Sequence, residues 1–141
     1  MKKFLVASFV LAFSLQAADK MEYINIQETL DSALAKETLS GKISFSFGSK
    51  SGNGKVIAKD LVTNKKSNAA MRGHDGKIES CKRSFISALK QFEDRAMREN
   101  GTKVIHLISY FKKKPYDSTT EFECAIGTWM TGVALKGDVA K

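Results

Sequence analysis

The hydrophobic positions of this chain change period several times, and each change marks an element. KISFSFG, residues 42–48, sets Ile43, Phe45 and Phe47 against Ser44 and Ser46, the two-residue period of a half-buried strand. SKSGNG reads as a turn by composition, and KVIAKDLVTN as a partner strand whose irregular alternation fits a bulge. Upstream, YINI is a short extended piece leading into a helix over QETLDSALAKE. Asn25 and Glu28 have the spacing of a capping box there, and Ser40-Gly41 ends the helix. Residues 64–77 are polar and dotted with glycine, and read as a loop. The clearest helical period runs over residues 79–100. Cys81, Phe85, Ala88, Leu89, Phe92 and Ala96 line one face, and Lys82, Lys90, Asp94, Arg95 and Arg98 fill the rest. Asn100-Gly101 stops this helix, with the glycine expected in the left-handed conformation.

TKVIHLISYF follows at once, β-branched and aromatic with hardly a break, and reads as the central strand. KKKPYDS turns the chain and TTEFECAIGTW runs back beside it. A last strand is expected from about Met130 to Leu135, with Gly127, Gly132 and Gly137 marking bulges or close backbone approach. The pattern predicts an α+β fold in a single domain over residues 18–141. Its sheet is an antiparallel one of four to five strands, with two helices on one face.

The first residues change the picture of where this domain works. MKK supplies a positive start, FLVASFVLAFSL an apolar run, and SLQA a small residue for cleavage, the layout of a secretory signal peptide over residues 1–17. The apolar run falls short of the roughly 20 residues a spanning helix needs. A periplasmic address is therefore expected, with no transmembrane segment after signal cleavage. Two cysteines in an exported chain are most simply a disulfide, Cys81–Cys124, stapling the start of the long helix to the sheet.

Lys and Arg number 23 against 15 Asp and Glu, a formal net charge of +8 of which Lys2 and Lys3 belong to the leader. Such a balance attracts anions, and the exported address makes nucleic acid the wrong partner. Lys112, Lys113 and Lys114 cap a hairpin beside Tyr116, and Lys65 and Lys66 form a second basic area. Converging, they would dock an anionic envelope component or an envelope protein. The competing reading is that a lysine-rich turn prevents edge-to-edge sheet association.

Catalytic signals are incomplete. Gly127-x4-Gly132 has the spacing of a phosphate loop, but Val133-Ala134 stands where the motif demands lysine and a hydroxyl. No serine sits in Gly-x-Ser-x-Gly, and Glu121 and Glu123 share a strand face that reads as a solvent side. Met71 and His74, three apart, together with His106, form an alternative metal-binding or redox-linked set through sulfur and nitrogen ligands. No cofactor is expected. The reading is a non-catalytic, basic, disulfide-stapled periplasmic protein that binds or senses something in the envelope.

The combination LVTNKKSNA, CKRSFISALKQFEDRA, NGTKVIHLISYFKK and STTEFECAIGTWMTGVALKGDVAK resembles a family of small exported bacterial proteins of unknown function, commonly labelled "excinuclease ATPase subunit". The likeness covers roughly residues 42–141, and Thr102-Lys103 and Ile126 depart from it. It implies an exported single domain bridged between Cys81 and Cys124, and carries over no catalytic residue. The label implies a nucleotide cradle and cysteine-rich zinc modules, which these residues do not supply.

Overall fold

Strand β6, Met130–Ala140, organises the sheet because both its edges are paired. The computed structural model describes residues 20–69 and 73–141, so the expected leader and Met71 lie outside the described residues. Along one edge of β6 runs β3, Val56–Asn68, antiparallel, with bulges between Val56 and Leu61. The other edge is shared. β4, Lys103–Ser109, pairs with the C-terminal half of β6, and β5, Glu121–Ile126, with Gly132 and Thr131. β1, Lys20–Asn25, lies antiparallel to β5, and β2, Ser44–Phe47, lies parallel to β4.

The α+β fold is as the sequence predicts, with a sheet of six strands that is mixed rather than purely antiparallel. The parallel pair arises because the chain leaves β2, runs through β3 and a long helix, and re-enters as β4, a crossover of the kind parallel strands require. The central strand is β6, not the segment at 102–111.

The first helix divides into α1, Ile26–Leu30, and α2, Ala33–Thr38. Asn25 caps α1 as its spacing predicts, its side chain accepting from Glu28 N–H at 2.8 Å. The break comes at Ser32, whose hydroxyl donates to the Thr29 carbonyl at 2.6 Å and accepts from Ala35 N–H at 3.3 Å. A serine satisfying backbone groups locally competes with a continuous helix.

The long helix α3, His74–Arg98, covers one face of the sheet, and the six apolar positions read from the sequence are all buried. Phe85 stacks on Phe122 of β5 with ring centroids 4.0 Å apart. Polar contacts tie the same end of α3 down: Ser80 Oγ lies 2.7 Å from Thr131 Oγ1, and Ser84 Oγ donates to Ser67 Oγ at 2.8 Å. Between them Cys81 and Cys124 form the expected disulfide, both fully buried.

The described part of 64–77, which the sequence reads as a loop, is mostly regular structure. Asn64–Asn68 complete β3, and α3 has begun by His74. At the far end of α3 the left-handed residue is Asn100, φ 56°, and Gly101 N–H closes the turn onto Ala96 O at 2.8 Å. Gly101 serves a different need, because a Cβ there would lie 2.7 Å from Val139 Cγ1.

Two stability measurements check this architecture. The bridge joins residues 43 apart in sequence, so Cys81→Ala/Cys124→Ala should lower unfolding free energy in urea by about 4 kcal/mol in the chain-entropy account. Gly101→Ala should destabilise by about 1–3 kcal/mol through overpacking against β6. Asn100→Gly, which suits a left-handed position, should cost nothing or gain slightly. Equal losses at both positions would show that the Asn100 turn is misassigned.

Candidate functional site

Alternation along β6 gives the sheet two unlike faces. Thr131, Val133, Leu135 and Val139 point towards α3, as the Ser80–Thr131 bond and the core packing show. Met130, Gly132, Ala134, Lys136 and Asp138 therefore belong to the opposite face, away from α3. Two recesses lie on it.

The larger, about 500 Å³, is lined by Phe111, Trp129, Met130 and Gly132, with Lys66 and Lys112 beside them. Each wall has its own support. Trp129 sits in the turn joining β5 and β6, where Gly127 N–H donates to Met130 O at 2.9 Å and Ala69 N–H to Trp129 O at 2.8 Å. Its backbone is thus tied to two strands while its side chain is uncovered, 65% exposed. Lys66 stands opposite Gly132 in the β3–β6 register. Lys112 arrives on the 3-10 turn Phe111–Lys113, where Lys112 and Lys113 both adopt positive φ, 51° and 60°. That turn puts the Lys112 ammonium 5.5 Å from the centroid of the Phe111 ring. Among the described residues, Lys66 and Lys112 are the charged side chains that line this cavity.

The smaller recess, about 210 Å³, lies at the other end of the same face and includes Ser49, Asp60, His106, Lys136 and Asp138. Asp138 is its hub. Buried on β6, it accepts from Asp60 N–H at 2.7 Å and sits 2.8 Å from His106 Nδ1. Both donors come from bulges where non-glycine residues take positive φ, Asp60 at 55° and His106 at 59°. A carboxylate on Nδ1 leaves Nε2 as the ring's open atom, the arrangement that orients an imidazole for proton transfer. Beside it, Ser49 donates its hydroxyl and N–H to Asp117, and these bonds hold the Asp117 carboxyl below the usual range. Because the Ser49 hydroxyl is directed to Asp117, the three groups do not form a nucleophile–base–carboxylate relay.

The basic residues read from the sequence separate in space. Lys66 and Lys112 meet at the cavity. Lys113 and Lys114 are exposed on the same turn but do not line it. Lys65 belongs to the opposite face of β3, the side on which Ser67 bonds α3. Tyr116 is not among the residues lining the cavity: its backbone bridges Ser109 at 3.1 and 2.9 Å, and its ring lies 4.7 Å from Tyr23. His74 opens α3, 3.4 Å from Glu22 of β1, while His106 pairs with Asp138. Among the described residues no group of three or more His, Cys, Asp or Glu is placed to hold a metal. Nor is Glu123 on a solvent face. It is buried, with its N–H donating to Ser109 Oγ at 2.9 Å.

The sequence reading missed Trp129, Phe111 and Met130, whose glycine-rich neighbourhood reads as strand ends. It also missed Asp138 as the partner of His106, since register alone brings the two together. Removing Asp138 should leave two donors without an acceptor. Asp138→Ala is expected to destabilise by about 1–3 kcal/mol, and Asp138→Asn, which keeps one carbonyl oxygen, by less. Thermal melts that rank the two variants the other way would remove Asp138 from this role.

No protein-family model, no curated protein and no solved structure matches this chain, so its site is read from its own residues.

Proposed function

We propose that the chain is a non-catalytic exported protein that binds an anionic component of the cell envelope at the cationic end of its outer sheet face. One observation carries this reading. Lys66 and Lys112, from distant parts of the sequence, line one cavity with Phe111, Trp129 and Met130. Aromatic rings with lysines around them suit the boundary between apolar and charged material. The buried disulfide accords with an oxidising compartment, and the sequence likeness to small exported proteins points the same way. No helix of the described residues is long and apolar enough to cross a membrane.

The experiment is flotation of the purified chain with vesicles containing anionic phospholipid, against vesicles of neutral phosphatidylcholine. Retention is expected on the anionic vesicles alone, and is expected to fall as salt is raised. Each lysine near an anionic surface contributes about 1 kcal/mol, so Lys112→Glu/Lys113→Glu should weaken retention roughly thirty-fold or more. Retention that ignores both salt and the double substitution would sink the proposal.

A further inference from the structure

We infer that two copies of this chain pair antiparallel through the outer edge of β3, about a two-fold axis between their Thr63 residues. The inference does not depend on what the Trp129 cavity holds. β3 is 13 residues long, carries no proline, and among the described residues has one strand partner, β6. An edge of that length is a template for a further strand. Ala69 N–H donates to Trp129 O at 2.8 Å and continues the pairing of Ser67 with Thr131, so the odd-numbered residues bond to β6. The exposed, even-numbered Val62, Asn64 and Lys66 therefore turn their N–H and C=O groups outward. Asn68 follows the same rule, and Ser80 Oγ of α3 donates to its carbonyl at 3.1 Å. The helix thus closes the last residue of the edge and leaves the three before it open.

A second copy is the occupant because the edge complements itself in one register. Antiparallel pairing sets outward residues opposite outward residues. To match at least two of the open three, the axis must fall at Thr63, Asn64 or Lys65. At Lys65 two lysines oppose each other directly, which is destabilising. At Asn64 no opposite charges meet. At Thr63, Lys66 of each copy falls beside Asp60 of the other, where the bulge ends the regular pairing. Asp60 faces the same side of the sheet as Lys66: its carboxylate lies 3.7 Å from Lys136, and its N–H donates to Asp138 at 2.7 Å. Two opposite-charge pairs then form across the axis, so the lysines that deter other pairings select this one. Thr63 supplies the second argument. It is 5% exposed, and its Oγ1 has no hydrogen-bond partner among the described residues, an arrangement that is rare and costly. On the axis it stands in a non-hydrogen-bonded pair, where side chains approach most closely and two threonines bond hydroxyl to hydroxyl. The axis runs perpendicular to the sheet, so both α3 helices lie on one side and both outer faces on the other.

Sedimentation equilibrium of the purified chain over a wide concentration range reads the dimer directly. The parent is expected to pass from monomer to dimer in the micromolar range. Lys66→Glu sets glutamate against Asp60 twice, and Asp60→Lys sets lysine against Lys66 twice. Each variant alone is expected to dimerise roughly tenfold more weakly or worse. An equimolar mixture of the two restores both opposite-charge pairs in the mixed dimer, which should form about as tightly as the parent. Asn64→Pro removes an outward N–H and no bond to β6, so it should stay folded, as prolines on edge strands do, and stay monomeric. Thr63→Val keeps the shape and removes the hydroxyl. It should weaken the dimer several-fold without lowering the melting temperature of the dilute monomer. If Asn64→Pro melts well below the parent, the mixture of charge variants carries the test.

A parent that stays monomeric at the highest concentration reached would overturn the inference and leave the edge to a strand of another protein. Charge variants that dimerise as well as the parent, or a mixture that fails to restore the dimer, would overturn the register and the inference with it. Dimers of a folded Asn64→Pro variant would place the contact on another surface, with the same result.

Discussion

The constraint on which the rest of the structure depends is the double pairing of β6. β3 occupies one edge over most of its length, and β4 and β5 divide the other between them. A one-residue slip would carry Val133, Leu135 and Val139 out of the core and turn Lys136 and Asp138 into it. Partners on both sides resist that slip at once. The register of a single strand thereby decides which side chains meet α3 and which form the outer face.

The two faces are finished differently. Towards α3, the Phe85–Phe122 stack, the buried serine and threonine contacts and the Cys81–Cys124 bridge converge on one end of the helix. Outward, the covering comes from irregular segments. The turn after β2 packs close enough that Gly48 N–H donates to Leu107 O at 2.7 Å and His106 N–H to Ser51 O at 3.3 Å. The 3-10 turn lies over the other end, where Tyr110 N–H donates to Ala134 O at 2.8 Å. Lys136 stretches along this face with its ammonium 5.0 Å from the Tyr110 ring centroid. Recesses remain where these coverings stop. Loops that connect elements of a rigid scaffold are common carriers of binding residues, and here the sheet fixes their ends.

Much of this was legible in the sequence, and the gaps have physical causes. The apolar face of α3 was readable because helical periodicity is strong over so long an element. The disulfide was readable because cysteine use follows the redox compartment. The division of the first helix turned on a hydroxyl competing for backbone groups at Ser32, which periodicity does not register. Reading residues 64–77 as loop had the larger consequence. Once Lys65 and Lys66 stand on a strand, alternation sends them to opposite faces, and only Lys66 can join Lys112 at the cavity. The cavity itself joins β3, the β5–β6 turn and the 3-10 turn, and the His106–Asp138 pair joins β4 to β6. Such meetings are set by strand register and lie outside the reach of local patterns.

The position of Lys112 follows from what holds its turn. Two consecutive non-glycine residues at positive φ are unfavourable in isolation, and neither Lys112 nor Lys113 is buried to offset the cost by packing. The compensation lies at the ends of the segment. Ser109 and Tyr116 exchange two backbone hydrogen bonds, Tyr116 rests on Tyr23, and Ser109 Oγ accepts from Glu123 N–H in β5. Closing the chain from Tyr110 to Pro115 between those fixed ends forces a tight path, and the left-handed pair is how the chain meets it. Tyr116, which the sequence reading placed among the binding residues, thus acts at one remove. It holds the end of the turn, and the turn holds the ammonium group at the cavity.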